Sequence, residues 1–290
     1  MIKLFKKPRY IIEYVLFSAL MKGLRTLGLE RSANLCAIIA GAIGPYLKVT
    51  KVARKNIERA LGSEADVDLI IKGLWDNFGR YIGEFPFIKT LHEEELDKRT
   101  KLEGFENIKP FINNRQPYFL YLAHLANWDF VISTLDKLYP KFSVVYRKAN
   151  NPYVDKAVLN SRNSQTITMI AKGPSGAKGL ANAIKIGSSI VMLVDQKMND
   201  GISVPFFGRA AMTADAIAKL SLKYNYPIVP CQLVRTSGSN FTIILHPAII
   251  FKATGNNKQD CFDIMLMINK QIEKWIRQHP DQWFWFHNRW

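Results

Sequence analysis

The chain has 290 residues, 48% of them apolar and 22% charged, enough to bury a sizeable core in one large domain. Forty Lys and Arg against 24 Asp and Glu give a formal charge of +16, which directs attention to an anionic partner such as nucleic acid, anionic lipid or an acidic protein. The three cysteines, Cys36, Cys231 and Cys261, are odd in number and lack metal-ligand spacing. That argues against a disulfide framework or a zinc site and for inert core thiols in a reducing compartment.

The N-terminal segment "MIKLFKKPRY", followed by "IIEYVLFSALM", has the basic-then-apolar order of a signal peptide, but Glu13 interrupts the apolar run and no small-residue cleavage site follows. A spanning helix needs about 20 apolar residues. Glu13, Lys22 and Arg25 fall inside such a window, and the second apolar stretch, "ANLCAIIAGAIGPYL", is broken by Gly41, Gly44 and Pro45. On a helical wheel Ser18, Lys22, Arg25 and Thr26 share one side, while most of Ile12, Val15, Leu16, Ala19, Leu20, Leu24 and Leu27 lie elsewhere. Basic residues flank the region, with Lys3, Lys6, Lys7 and Arg9 before it and Lys48, Lys51, Arg54, Lys55 and Arg59 after it. Residues 1–49 are therefore expected to form a membrane-associated helical region that meets an anionic surface.

Residues 50–98 read as helical, and from about residue 115 the pattern alternates. β-rich runs "YFLYLA", "FSVVYR", "TITMI", "SIVMLVD" and "IVPCQLV" are separated by helical stretches near 127–139, 151–163, 175–187 and 213–225. A further strand "FTIILHP" and a helix near 258–278 follow. Strands alternating with helices of this length predict an α/β domain over 50–290, a single mixed, mostly parallel sheet flanked by helices. Ligands of such sheets gather beyond the carboxyl ends of the strands. The polar residues to inspect there are His124, then Tyr146 and Arg147, then Asp195 and Gln196.

His124 ends the apolar run of "YFLYLAHLANWDF", and Asp129 follows five residues later. Five is a poor spacing for one face of a continuous helix. With His124 in a strand-to-helix turn and Asp129 in the first helical turn, however, the carboxylate reaches back to one ring nitrogen and leaves the other free to take a proton. No Gly-x-Ser-x-Gly elbow or Cys–His pairing is present, so the base would activate a hydroxyl on a second substrate for direct attack. One His and one Asp are too few ligands for a metal.

The segment "AHLANWDF" resembles the His-x4-Asp/Glu signature of glycerolipid-type acyltransferases, specifically the bacterial lipid A biosynthesis lauroyl and myristoyl acyltransferases. The resemblance continues through "DNFGRYIGEF", "VVYRKANNPYVD", "VDQKMNDGISVPFFGRAAMT" and "HPDQWFWFHNRW". It implies a glycerolipid acyltransferase-like fold. It also implies transfer of a fatty acyl chain from an acyl carrier protein thioester to a hydroxyl of a Kdo-lipid A precursor, at the cytoplasmic face of the inner membrane, with no metal and no bound cofactor. His124 would be the base and Asp129 its orienting partner; many members of this branch carry Glu there, so Asp129 departs from the commoner form.

On the same resemblance, Arg147 and Arg209 are candidate clamps for a substrate phosphate, since a planar guanidinium matches phosphate oxygens. Asn127, inside the His block, is a further substrate-side candidate. Asp195 and Gln196 either orient the site or satisfy buried loop amides, and Glu84 is either the partner of a site arginine or a helix-surface carboxylate. Acidic carrier protein, phosphorylated acceptor and anionic leaflet would all suit the positive charge. Two rivals stand beside this reading. One is an acyltransferase of the same fold with another lipid acceptor. The other is a basic membrane- or nucleic-acid-binding protein without catalysis, though no helix-turn-helix, zinc-finger or RNP-like pattern favours nucleic acid.

Overall fold

The computed structural model describes residues 6–138, 142–162, 164 and 166–290. Lys3 of the basic flank and the end of the helix expected near 127–139 lie outside them. Helices α1 (Lys6–Leu27) and α2 (Leu29–Ile43) are hinged at Gly28, whose φ of 78° suits a residue without a Cβ. Helices α3 (Lys48–Leu61) and α4 (Val67–Glu84) follow. Gly79 and Gly83, one helical turn apart, let α4 lie directly on α2. A Cβ at either position would come within 2.6 Å of the α2 backbone at Cys36, Ala37, Ser32 or Ala33. The Ser32 hydroxyl donates to the Gly83 carbonyl at 2.7 Å and seals this contact.

Beyond the short α5 (Glu93–Arg99), a mixed, mostly parallel seven-stranded sheet is laid down in the order β1-β9-β8-β2-β5-β3-β4. Its strands are β1 (Thr100–Glu103), β2 (Phe119–Leu122), β3 (Phe142–Tyr146), β4 (Ile167–Ala171), β5 (Ser189–Leu193), β8 (Ile228–Ser237) and β9 (Asn240–Leu245). Strands β8, β2, β5, β3 and β4 run parallel, and β9 turns back antiparallel to β8 with β1 beside it. The helices α6 (Lys109–Asn113), α7 (Asp129–Leu138), α8 (Pro152–Arg162), α9 (Pro174–Lys185), α10 (Ala216–Tyr224) and α11 (Asn257–Gln278) make the connections and flank the sheet. A two-stranded hairpin, β6 (Lys197–Phe206) and β7 (Arg209–Thr213), stands apart from it.

The central strand explains the continuous apolar run. Every residue of β2 is buried, as expected for a strand covered on both faces. Phe119 and Tyr121 join the core under α4 and α11, while Leu120 and Leu122 join the opposite core with Phe130, Val131 and Leu135 of α7. The C-terminal segment after α11 folds into the first of these cores, with Trp283 and Trp285 fully buried. Cys231 and Cys261 are buried and Cys36 half-buried, all three as free thiols.

Candidate active site

His124 lies two residues beyond the end of β2, and Asp195 two residues beyond the end of β5. These strands are neighbours with Leu122 paired to Leu193, so continuing the register sets His124 opposite Asp195. The contact is intimate. The Asp195 Oδ1 lies 2.7 Å from His124 Nδ1, and Oδ2 accepts the His124 backbone N–H at 2.8 Å. Since an ionised carboxylate only accepts, Nδ1 carries the proton, and in the neutral ring the lone pair is therefore on Nε2. The indole N–H of Trp283 donates to the same Oδ2 at 2.7 Å. Complete burial opposes charge on Asp195, but the electrostatic field of His124, the hydrogen bonds from its ring and backbone, and the field of His287 outweigh it and hold the carboxyl well below its ordinary value.

This depression has a pH signature. A carboxyl whose folded-state pKa is lowered stabilises the fold fully above its unfolded value, about 3.9 for Asp, and loses that contribution as pH falls toward the folded value. Urea unfolding is expected to show wild type more stable than Asp195→Asn near neutrality, with the gap shrinking below about pH 5. A gap that stays constant on acidification would mean Asp195 is not held ionised.

The expected His124–Asp129 contact gives way to a different one. Asp129 is fully buried and takes Arg162 in a two-pronged ion pair, Oδ1 to Nε at 2.7 Å and Oδ2 to Nη2 at 2.9 Å, with the Tyr81 hydroxyl 3.3 Å from Oδ2. The Nη2 arm is a hydrogen bond, whereas Nε and Oδ1 are close as charges without hydrogen-bond alignment. Burial would lower the Arg162 pKa, but Asp129 reverses that and drives it upward. Asp129 opens α7, and its backbone N–H is capped by the Asn127 side chain at 3.2 Å, which turns its carboxylate toward α4 and α8. The orienting carboxylate of His124 is therefore Asp195, and Asp129 ties the start of α7 to α8.

Two more expected ligand contacts prove internal. Glu84 is fully buried rather than on a helix surface, and its oxygens are taken by the Arg235 guanidinium, the Asn127 amide at 2.8 Å and the Ser239 hydroxyl at 2.8 Å. Asn127 is likewise sealed from solvent. Both residues brace the turn that carries His124 instead of facing a ligand. That turn includes Ala126 at φ 48°, a conformation non-glycine residues rarely adopt, and the Ala126 N–H is held by the Gln282 carbonyl at 3.0 Å. Arg209 sits exposed at the β6–β7 hairpin and donates to the Arg59 carbonyl of α3 at 3.2 Å, with no contact to His124.

Gln196 does reach the ring, its amide nitrogen 3.4 Å from His124 Nε2, and Arg147 stands exposed at the end of β3 as expected. The His124 side chain borders a narrow pocket lined by Leu74, Phe78, Tyr81, Trp128 and Phe284. Trp128 packs edge-on to the imidazole with ring centres 4.8 Å apart. A larger cavity of about 490 Å³, between β8, β9 and α11, shares no lining residue with this pocket. Among the described residues no Ser, Thr or Cys side chain is hydrogen-bonded to the His124 ring, and no three His, Cys, Asp or Glu residues are grouped to hold a metal. An oriented imidazole whose Nε2 meets only the long Gln196 contact, beside a mostly aromatic pocket, suits base catalysis on a hydroxyl delivered by a second substrate.

Residues 2–290 match the family described as bacterial lipid A biosynthesis acyltransferase. The chain belongs to this family. Among similar proteins are the lipid A biosynthesis palmitoleoyltransferase of Escherichia coli (strain K12) and the lipid A biosynthesis acyltransferase of Shigella flexneri. Each is 23% identical over 252 residues, covering 84% of this chain and 80% of the relative. The protein is thus an acyltransferase with a lipid A-type acceptor. Arg162, Arg235 and Trp283 entered no expectation as individual site residues. Asp195 carried a readable signal, since it stands as far beyond its strand as His124 does beyond its own.

Proposed function

We propose that the protein moves a fatty acyl chain from an acyl carrier protein thioester to a hydroxyl of a Kdo-lipid A precursor. The His124–Asp195 contact is the observation that carries this reading. His124 Nε2 takes the proton of the acceptor hydroxyl as its oxygen attacks the thioester carbonyl. The C–S bond then breaks, and the proton passes to the departing thiolate, yielding the ester and the free carrier thiol. Asp195 supports the imidazolium formed in between. The aromatic side chains beside the ring offer apolar contact worth about 0.8 kcal/mol per buried methylene, and the pocket they line, about 10 Å³, has to widen to admit an alkyl chain.

Arg147 and Lys172 support a phosphorylated acceptor. Tyr146 and Ala171 are paired in the sheet, and these two cations are the next residues outward on β3 and β4. Among the described residues neither forms an ion pair. Partial desolvation and the charge of Arg147 lower the ammonium pKa of Lys172, whose side chain is open to solvent and so to a bound anion. Strands lie about 4.8 Å apart, so β3, two strands from β2, holds Arg147 about 10 Å from the line of His124. That suits a headgroup phosphate rather than the reacting hydroxyl.

The α1–α2 hairpin supports work at the cytoplasmic face of the inner membrane. No single helix among the described residues is long and apolar enough to cross a bilayer. Ile12, Leu16, Ile38, Ile43 and Tyr46 are nonetheless each more than half exposed, as in a helix lying in an anionic interface.

The test is transfer of lauroyl, myristoyl and palmitoleoyl groups from carrier protein to the Kdo-bearing precursor on vesicles with and without anionic lipid. Transfer is expected to be faster on the anionic vesicles. Arg147→Ala and Lys172→Ala are each expected to raise KM for the phosphorylated acceptor about 10-fold with little change in kcat. Equal KM values with a dephosphorylated acceptor as substrate would remove the phosphate reading, and no transfer from any carrier thioester would remove the donor.

A further inference from the structure

We propose that Trp283 is a positioning residue for acyl transfer, its indole N–H locking Asp195 so that one carboxylate oxygen faces His124 Nδ1. The inference rests on the reading of His124 as the base and extends it to the C-terminal segment.

The carboxyl torsion of aspartate is soft, so a single backbone donor leaves the group free to rock. Here Oδ2 receives two donors from different elements, the His124 backbone N–H at 2.8 Å and the Trp283 indole N–H at 2.7 Å. With Oδ2 held from both sides, Oδ1 is left facing the imidazole at 2.7 Å. The indole is immobile in turn. Trp283 is fully buried, bridges Leu125 as a strand partner, and packs edge-on to Trp285 with ring centres 4.5 Å apart. The next residue, Phe284, donates its N–H to the His124 carbonyl at 2.9 Å, and Gln282 accepts from Ala126. One short segment therefore grips both the backbone that carries the base and the carboxylate that aims it. Preorganised second partners of this kind decide whether a catalytic pair keeps its reactive geometry.

Trp285 supplies the comparison. It is equally buried two residues on, but its indole N–H donates to the Pro280 carbonyl at 2.6 Å and does not touch Asp195. Trp283→Phe and Trp285→Phe each remove one indole N–H from the same segment, and only the first loses the Asp195 contact.

Steady-state transfer and the downfield proton resonance of His124 Nδ1–H, identified by its loss in His124→Gln, would be measured on the full chain. Trp283→Phe is expected to lower kcat at least about 10-fold with KM within about twofold, as for loss of a hydrogen bond to a charged group. Trp285→Phe should keep kcat within about twofold of wild type even where both variants melt earlier. In an Asp195→Ala background, Trp283→Phe should cost nothing further, because a residue acting only through Asp195 has nothing left to position. The Nδ1–H resonance should move in Trp283→Phe and stay in Trp285→Phe. Equal kcat losses in the two tryptophan variants, full multiplication of the losses in the Asp195→Ala background, or an unmoved resonance in Trp283→Phe would overturn the proposal. The resonance needs no substrate, so a wild type inactive toward the proposed acceptor would sink the acceptor reading while the resonance still decides the role of Trp283.

Discussion

His124→Gln is expected to lower acyl transfer by at least about 10²-fold, the low end of what a positioned general base contributes. The residue is partly exposed at the pocket, so the variant should fold with most of its stability. Asp195→Ala should lose activity as well, since Nδ1 is then freed and the tautomer with the lone pair on Nε2 is no longer enforced. The structure makes a discriminating demand here: Asp195, and not Asp129, should share the kinetic signature of His124, a fall in kcat greater than any rise in KM. If His124→Gln transferred acyl groups at the wild-type rate at equal folded protein, the ring would not be the base and the chemistry would lie elsewhere.

Asp129→Ala is expected to act through stability. Its carboxylate is fully buried against Arg162, so truncation strands a guanidinium in the interior, which costs about 3–5 kcal/mol. For a chain of this size that is a fall in melting temperature of roughly 5–8 °C. Removing both charges as Asp129→Leu with Arg162→Met should recover much of the loss, because similar apolar volume carries no desolvation penalty. Denaturant unfolding of the wild type and these two variants decides the matter. Asp129→Ala with wild-type stability and a specific loss of kcat would return the aspartate to the catalytic pair.

The distribution of effects shows where local pattern suffices. β2 was legible because four consecutive buried residues leave an apolar stretch wherever they fold, and His124 stood out as the polar residue that ends it. The helices expected near 151–163, 175–187 and 258–278 appear as α8, α9 and α11 with boundaries shifted by one or two residues. The β6–β7 hairpin was not read as strands. It is split by Pro205 and by the Phe207-Gly208 turn, with a register shift between Lys197 and Ile202, so its alternation is short and broken. Glu84 stays open in the sequence between an arginine partner and a surface carboxylate, because helix periodicity does not reveal that the β8–β9 hairpin will cover it and bring Arg235 to it.

The amino-acid sequence by itself determined the alternation of strands and helices, the placement of His124 at a strand end and the amphipathic, basic-flanked N-terminus. These follow from side-chain period and polarity over a few residues, which any stretch of chain carries locally. Only the tertiary structure decided which carboxylate serves the histidine. The adjacency of β2 and β5 brings together residues 71 positions apart, whereas the nearer Asp129 is drawn away by a guanidinium from α8. Strand order is set by packing the whole sheet between two cores, and no spacing within "HLANWD" encodes it.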